Sequence, residues 1–305
     1  VSCVFPVFLL SQLVSSFLRN DNRPGLATAA VLTGGIFNVF GDWFCVFALD
    51  LGVFGAGLAT AIGAVVSMLV MCTHFLSKKC TLRLVPVQNL FKKLGEIAVT
   101  GFSSFFVDVA MGILTVLFNR QIMKYLGSDA LAVYATVINI STFVQCCAYS
   151  VGQAAQPILS TNYGAGNAAR IRKTLYLALG TSMAFAAFWT GLSELAPGLY
   201  IRIFMRPTDA IFAIAPSIIR RYSVSFILLP VNIFSTYYFQ SILRPKDSFI
   251  VSIARGLVVS GLLIFALPAI FAPDSIWWAM PLTELVTFVY AGFAMRRDTR
   301  ALSQN

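Results

Sequence analysis

The sequence has little charge and almost no histidine. Only 11% of its 305 residues are charged, and it contains one histidine, whereas a soluble domain carries about 25% charged residues. A soluble protein with so few polar side chains could not cover its surface, which excludes an ordinary soluble domain. A single histidine cannot build a metal or proteolytic site by itself. The six cysteines lie in apolar runs and one basic loop, without zinc-site spacing or a disulfide framework.

Apolar runs dominate the sequence. Hydrophobic residues make up 58% of the chain, and the mean hydropathy is +0.81. Because lipid cannot satisfy free backbone groups and a helix needs about 20 apolar residues to cross a bilayer, we predict an all-α polytopic membrane protein. Nine stretches qualify as spans: 1–18, 26–48, 53–76, 97–118, 130–151, 175–196, 218–240, 249–271 and 276–295.

The basic residues predict the orientation. The net charge of +10 comes from Lys and Arg in turns between apolar runs, which is typical of membrane topology and not of nucleic-acid binding. Sixteen of the 22 fall on one side of the predicted spans, with Arg255 counted among them. We therefore expect that side and the C-terminus to be cytoplasmic, in a multi-pass protein of the plasma (cytoplasmic) membrane.

Two short charged turns divide the chain in a similar way. Residues 17–24 and 242–248 are each followed by two long apolar stretches, which predicts a protein built from two similar halves. We assign residues 1–76 to the last three helices of an N-lobe, 77–96 to a cytoplasmic linker and 97–305 to a six-helix C-lobe. Since the chain begins at Val1 inside an apolar run, we expect a fragment of a twelve-helix protein with two six-helix lobes.

Several motifs resemble the multidrug and toxic compound extrusion (MATE) family. They are RNDNRP at 19–24, NVFGD at 38–42, LGVFGAGLAT at 51–60, GQAAQPI at 152–158, NYGAGN at 162–167 and WAMPLTE at 278–284. The resemblance implies a monomeric secondary-active antiporter that exports cationic or amphipathic compounds in exchange for H⁺ or Na⁺. The chain departs from the family at Gly101-Phe102-Ser103, where proline is frequent, and at Asn232, where one subgroup has an acidic residue.

Acidic residues inside the predicted spans are the first candidates for function. A charge at the centre of a span costs roughly 2.5 to 3.5 kcal/mol on insertion scales, so such residues are functional hypotheses by default. Asp42 follows Asn38 by one helical turn, and the two together could bind a proton or Na⁺. Asp108 lies mid-span, and Glu284 follows Pro281, which we expect to free a backbone carbonyl and leave a polar pocket. The structural alternative for each is a hydrogen bond that holds helices together.

Amides and small residues give weaker candidates. Gln145, Gln153 and Gln156 lie on or near the fifth span. Gln145, Tyr149, Gly152 and Gln156 recur at helical spacing, which predicts a shared face that could line a cavity or hydrogen-bond to neighbouring helices. Asn232 is the nearest polar residue in the seventh span. A stripe of small residues at Gly55, Ala59 and Gly63 predicts close helix packing.

Three functional classes compete. The leading hypothesis is a transporter whose partners are a small amphipathic or cationic molecule and the lipid bilayer. No ATP-binding motif is present, so we expect energy from an ion gradient and no cofactor other than the coupling ion. A lipid-linked oligosaccharide flippase of the same superfamily is the alternative, although it would need more cationic residues in its cavity. An intramembrane enzyme would need a catalytic constellation that the sequence does not display.

Overall fold

The computed structural model describes residues 4–78, 80–83, 89–205 and 207–301, without the side chains of residues 100, 103, 104, 107, 108, 300 and 301. The described part is helical throughout and contains no strand, which confirms the predicted all-α class. Seven of its helical segments are long and apolar enough to cross a membrane. Every predicted span falls on helix where it is described, but the counts of nine and twelve stay predictions.

The helices follow each other with short connections. Their bounds are α1 Phe5–Asn20, α2 Pro24–Asp42, α3 Gly52–Cys72, α4 Leu90–Tyr125, α5 Gly127–Gly164, α6 Ala168–Leu195, α7 Pro197–Phe204, α8 Asp209–Ser223, α9 Leu229–Ser241, α10 Pro245–Ile253, α11 Val259–Ile270 and α12 Ala279–Ala301. Two π-helical segments, Trp43–Ala48 and Ala254–Val258, extend α2 and join α10 to α11.

The chain forms two compact units, Val1–Gln88 and Asn89–Asn305. The predicted linker at 77–96 contains the boundary between them, while the assignment of the units to lobes stays a prediction. Each unit exposes many large apolar side chains, among them Val53 at 92% and Phe47 at 78%. Such a surface suits lipid as the solvent, because water would not tolerate so much exposed apolar area.

Helices α2 and α3 touch through their backbones in the first unit. A Cβ added to Gly34 would lie 2.6 Å from the Gly63 carbonyl oxygen, and one added to Gly63 would lie 2.7 Å from the Gly34 carbonyl oxygen. At Gly55 an added Cβ would lie 2.8 Å from the Cys45 carbonyl oxygen. The predicted small-residue stripe therefore packs against α2, since only residues this small let two helix backbones approach so closely.

The two charged turns have the same backbone conformation. Asn22 and Leu243 both adopt a left-handed conformation, with φ of 55° and 57°. In each turn the next residue donates its backbone N–H back to the last helical turn, Arg23 to Leu18 at 2.9 Å and Arg244 to Phe239 at 2.8 Å. A proline then begins the following helix, α2 or α10. This is a Schellman-type ending, and its recurrence supports the predicted repeat.

Each turn is also tied to a later helix by a carboxylate. In the first unit Asp21 Oδ2 lies 2.6 Å from His74 Nε2, and Thr81 donates its N–H and its hydroxyl to the same carboxylate. The hydrogen bonds from Thr81 and then from His74 lower the pKa of Asp21 to about 2, so the group stays ionised at neutral pH. His74, the single histidine of the sequence, is thus a specific partner of Asp21.

In the second unit Asp247 plays the corresponding part. It accepts hydrogen bonds from Tyr290 at 2.8 Å and Arg297 at 3.1 Å, both on α12. Arg297 also bonds to the neighbouring Asp298 at 2.9 Å. The start of α10 is therefore held against the last turns of the chain's final described helix.

The NYGAGN motif forms the link between α5 and α6. Gly166 adopts φ of +67°, which lets α5 end, and Asn167 then caps α6 by accepting a hydrogen bond from the Arg170 N–H at 3.1 Å.

Aromatic side chains contribute to the largest buried cluster of the second unit, where Phe118 and Tyr134 are stacked at 4.9 Å between ring centroids. Tyr222 and Trp277 pack against Tyr134.

We predict opposite effects for alanine at two adjacent glycines of α2. Gly34→Ala should destabilise the protein by roughly 1–3 kcal/mol, because its Cβ would collide with the α3 backbone. Gly35 has nothing within 4 Å of an added Cβ, so Gly35→Ala should stabilise the helix by about 0.5–1 kcal/mol. Thermal unfolding of the purified full-length protein in detergent measures both, and equal shifts would contradict the close α2–α3 approach.

We predict that Leu243→Gly stabilises the protein. A left-handed leucine costs about 1–2 kcal/mol and Leu243 is 74% exposed, so glycine should relieve the strain while losing little packing. Asn22→Gly is the matched control and should change less, since asparagine tolerates this conformation. The same thermal unfolding assay applies, and a lower midpoint for Leu243→Gly than for wild type would show that its side chain packs usefully.

Candidate functional site

A buried ion pair lies inside the helices of the second unit. Arg255 and Glu284 are 6% and 0% exposed, and Arg255 Nε donates to Glu284 Oε1 at 2.6 Å. Arg255 belongs to the π-helical segment between α10 and α11, and Glu284 belongs to α12. Our count had placed Arg255 in a cytoplasmic loop, and that placement is wrong. Its surroundings are helical and buried, and its charge is balanced within the spans.

Asn232 joins this pair from a third helix, α9. Its side-chain amide donates to Glu284 Oε2 at 2.7 Å and to the Glu284 backbone oxygen at 2.8 Å. Both carboxylate oxygens of Glu284 therefore have a partner. We name Arg255, Glu284 and Asn232 the buried triad. It carries no net charge when its arginine and glutamate are both ionised.

The buried triad keeps one unused donor and one unused acceptor. Arg255 Nη2 and Asn232 Oδ1 are buried and have no hydrogen-bond partner among the described residues. Buried polar atoms nearly always find a partner, so unsatisfied ones point to strain or function. Tyr149 and Tyr222 lie near Arg255.

Proline does not create this polar region. We expected Pro281 to interrupt a span and free a carbonyl, but Pro281 lies in the first turn of α12, after the 3₁₀ segment Pro273–Trp278. A first-turn residue has no intrahelical partner for its N–H, so proline costs nothing there. The π-helical segment is the more relevant distortion, because such segments occur frequently at functional sites.

Asp42 and Asn38 lie on one face of α2 in the first unit. Both are half-buried. Asn38 donates its amide to the Thr60 hydroxyl of α3 at 3.2 Å. The Oδ1 atom of Asp42 is buried and has no hydrogen-bond partner among the described residues. Asp42 is also the last α-helical residue before the π-helical segment Trp43–Ala48.

The structure describes the side chains of the three candidate glutamines but not that of Asp108. Gln145, Gln153 and Gln156 are half-buried on α5. Close by, Tyr149 packs edge-to-face on Tyr237 at 6.4 Å between ring centroids. Asp108 lies within α4, but its side chain lies outside the described residues.

Gly152 makes room for an aromatic contact beside these glutamines. A Cβ at Gly152 would overlap the Tyr237 ring, so the bare backbone of α5 accommodates that ring. The helical spacing placed Gly152 on the polar face of α5, but it did not predict Tyr237 as its neighbour.

One group of potential metal ligands occurs in the first unit. Asp21, His74 and Cys80 each place a potential ligand atom within 4.8 Å of the others. Sequence spacing did not predict this group, because the loop after α3 brings Cys80 back towards the first turn. Both oxygens of Asp21 already accept hydrogen bonds from Thr81 and His74. We therefore assign the group a structural role, in which Asp21 connects the first charged turn to the segment that follows α3.

Sequence reasoning missed Arg255 and the tyrosines around it. A usable signal was present, since Arg255 lies in the middle of the apolar run 249–271 while Glu284 lies in the run that follows. Opposite charges in consecutive spans predict a pair more naturally than two separate functional groups.

The apolar helices and the exposed apolar surface define a polytopic helical membrane protein. A family model described as MatE matches residues 104–265, just over half of the chain. The chain belongs to this family, as its motifs predicted.

The similar relatives are named as multidrug exporters. "Multidrug export protein MepA" of Staphylococcus saprophyticus is 24% identical over 283 residues, which cover 92% of this chain and 62% of that protein. The protein of the same name from Staphylococcus haemolyticus is 24% identical over 293 residues, 94% of this chain and 63% of its own. The chain thus spans less than two thirds of the length of these relatives.

Solved structures share the fold. One described as the outward-facing conformation of a multidrug resistance MATE family transporter of the MOP superfamily has a TM-score of 0.90 at 19% identity, covering 98% of this chain and 68% of that one. A MOP superfamily transporter from Pyrococcus furiosus has a TM-score of 0.84 at 19% identity, with the same coverage. The likeness confirms the all-helical fold.

We predict strong coupling within the buried triad. Arg255→Met and Glu284→Gln should each destabilise the protein by roughly 3–5 kcal/mol, because each single change leaves a buried charge or donor without its partner. The double variant should cost less than the sum of the two. The exposed pair Arg221–Asp274, at 3.3 Å, supplies a control cycle with a coupling below about 1 kcal/mol. Additive effects at Arg255 and Glu284 in thermal unfolding would contradict the prediction.

Proposed function

We propose that the whole protein exports cationic or amphipathic compounds in exchange for H⁺ or Na⁺ by alternating access. The observation that carries this proposal is the carboxylate of Asp42. It is half-buried on α2, its Oδ1 lacks a hydrogen-bond partner among the described residues, and Asn38 lies one turn away. A carboxylate in this state has a reason to bind a cation, since an unneutralised charge inside a span is costly.

The buried triad has a different role in this proposal. Glu284 already has Arg255 as its counter-ion at 2.6 Å, so it has no need of a transported cation. The coupling ion therefore binds at Asp42, and the triad holds α9, α12 and the α10–α11 region together. Asp108, Gln145, Gln153 and Gln156 remain proposed contributors to the ion or substrate path. The names of the similar relatives support multidrug export, although they concern those proteins.

The proposed membrane setting follows from the revised charge count. Removing Arg255 from the loops leaves fifteen basic residues on the predicted cytoplasmic side and six on the other. This difference supports a C-terminus in the cytoplasm. We propose in addition that the protein is a monomer in the plasma membrane. The flippase alternative gains nothing from Arg255, because Glu284 neutralises its charge. The relatives named above are multidrug exporters and do not favour that alternative.

Ethidium efflux tests the proposal. In energised cells that express the full-length protein, Asp42→Asn should reduce efflux by tenfold or more, because it removes the charge that binds the coupling ion. Asp50→Asn is the matched control, since Asp50 is exposed, eight residues further along, and in a left-handed conformation that asparagine tolerates. Its efflux should equal that of wild type at the same expression level.

Separate acid and sodium pulses then identify the coupling ion. Efflux that follows only one of the two gradients names that ion. If wild type exports none of several cationic dyes under either gradient, multidrug export is wrong. If Asp42→Asn transports as well as Asp50→Asn, the assignment of Asp42 is wrong even though export stands.

A further inference from the structure

A long groove opens on the outside of the second unit between α6 and α12. Its volume is about 1010 Å³, and Val231 of α9 contributes to its lining. Most of its other lining side chains are apolar and come from both walls, including Leu175, Leu179, Phe288 and Phe293. A groove of this size and composition on a membrane protein suits a long apolar ligand.

One end of the groove is basic. Arg172 lies near the beginning of α6 and Arg296 near the end of α12, and both line the groove. Lys173 lies in an adjoining hollow that also contains Arg172. No aspartate or glutamate is among the described lining residues. By the predicted orientation, the basic end faces the cytoplasmic leaflet.

The nearby acidic residues form ion pairs with an arginine outside the groove lining, Arg297. Asp247 and Asp298 bind Arg297, at 3.1 and 2.9 Å, on the neighbouring face of α12. Two carboxylates against one arginine leave one negative charge, whereas Arg172, Lys173 and Arg296 supply three positive charges in and beside the groove. The positive potential at this end persists, and screening by salt is weakest where the surrounding medium is lipid.

We propose that this groove binds one anionic phospholipid of the cytoplasmic leaflet. The headgroup phosphate binds the guanidinium groups of Arg172 and Arg296, which offer planar paired donors to phosphate oxygens. The acyl chains lie along Leu175, Leu179 and Phe293. Basic pockets between membrane helices on the cytoplasmic side bind anionic headgroups by this chemistry. The exported cationic compounds would be repelled by the same arginines, so the groove is distinct from the proposed transport path.

Gly292 leaves space for an acyl chain in the middle of the groove. It lines the groove on α12, and an added Cβ there would have nothing within 4 Å. A side chain at this position would begin in open space, so the larger leucine side chain should occupy part of the groove. Gly180 on α6 has the same open surroundings but does not line the groove, which makes it a matched control.

Native mass spectrometry of the purified full-length protein tests the proposal with phosphatidylglycerol and phosphatidylcholine as probes. Wild type should bind phosphatidylglycerol about tenfold or more tightly than phosphatidylcholine. Arg172→Gln with Arg296→Gln should remove that preference. Arg170→Gln with Arg244→Gln removes the same two charges outside the groove and should keep it. Gly292→Leu should lose the bound lipid, and Gly180→Leu should retain it.

Three results would overturn the lipid site. The first is equal binding of the two lipids by wild type, and the second is unchanged binding by the double arginine variant. The third is unchanged binding by Gly292→Leu, which would place the lipid elsewhere. Displacement of phosphatidylglycerol by inorganic phosphate at equal concentration would assign the basic end to a soluble anion instead. Thermal unfolding of each variant in the same detergent identifies any that fail to fold.

Discussion

The contact between Arg255 and Glu284 determines how the second unit is held together. Neither charge could remain within the spans alone, because the cost of an isolated charge in lipid exceeds what a single helix contact returns. Their 2.6 Å contact fixes the rotation of α12 relative to the π-helical segment, and Asn232 adds α9 through both the carboxylate and the backbone of Glu284. The aromatic core around Tyr222 packs beside this arrangement.

The two units differ in whether a charged side chain within the helices has a counter-ion. In the first, Asp42 ends the regular part of α2 and lacks a described counter-ion, whereas in the second the charge of Arg255 is balanced within the unit. Both residues lie at or in a π-helical segment of the helix that follows a charged turn. Such segments widen the helix and free backbone groups, so each can orient a charged side chain that regular helix would direct elsewhere.

Apolar runs and basic turns were enough to predict an all-helical membrane protein, because lipid permits so few backbone solutions. Short motifs predicted the family. The pairing of Arg255 with Glu284 was missed, because the two are 29 residues apart and each was judged by its own neighbours in the sequence. Pro281 was misjudged for a related reason, because its effect depends on where α12 begins. Asp21 likewise acquires its partners only when the loop after α3 folds back.

The contact between Gly34 and Gly63 has a mechanical consequence. A carbonyl oxygen of each helix lies where the other helix has a glycine and no side chain. The helices α2 and α3 therefore have no space to slide or roll past one another. The two helices therefore form one rigid pair. Sliding by a full helical turn would bring side chains such as Asn38 or Ser67 against the opposite backbone. Any conformational cycle of this unit must therefore move α2 and α3 together as one body.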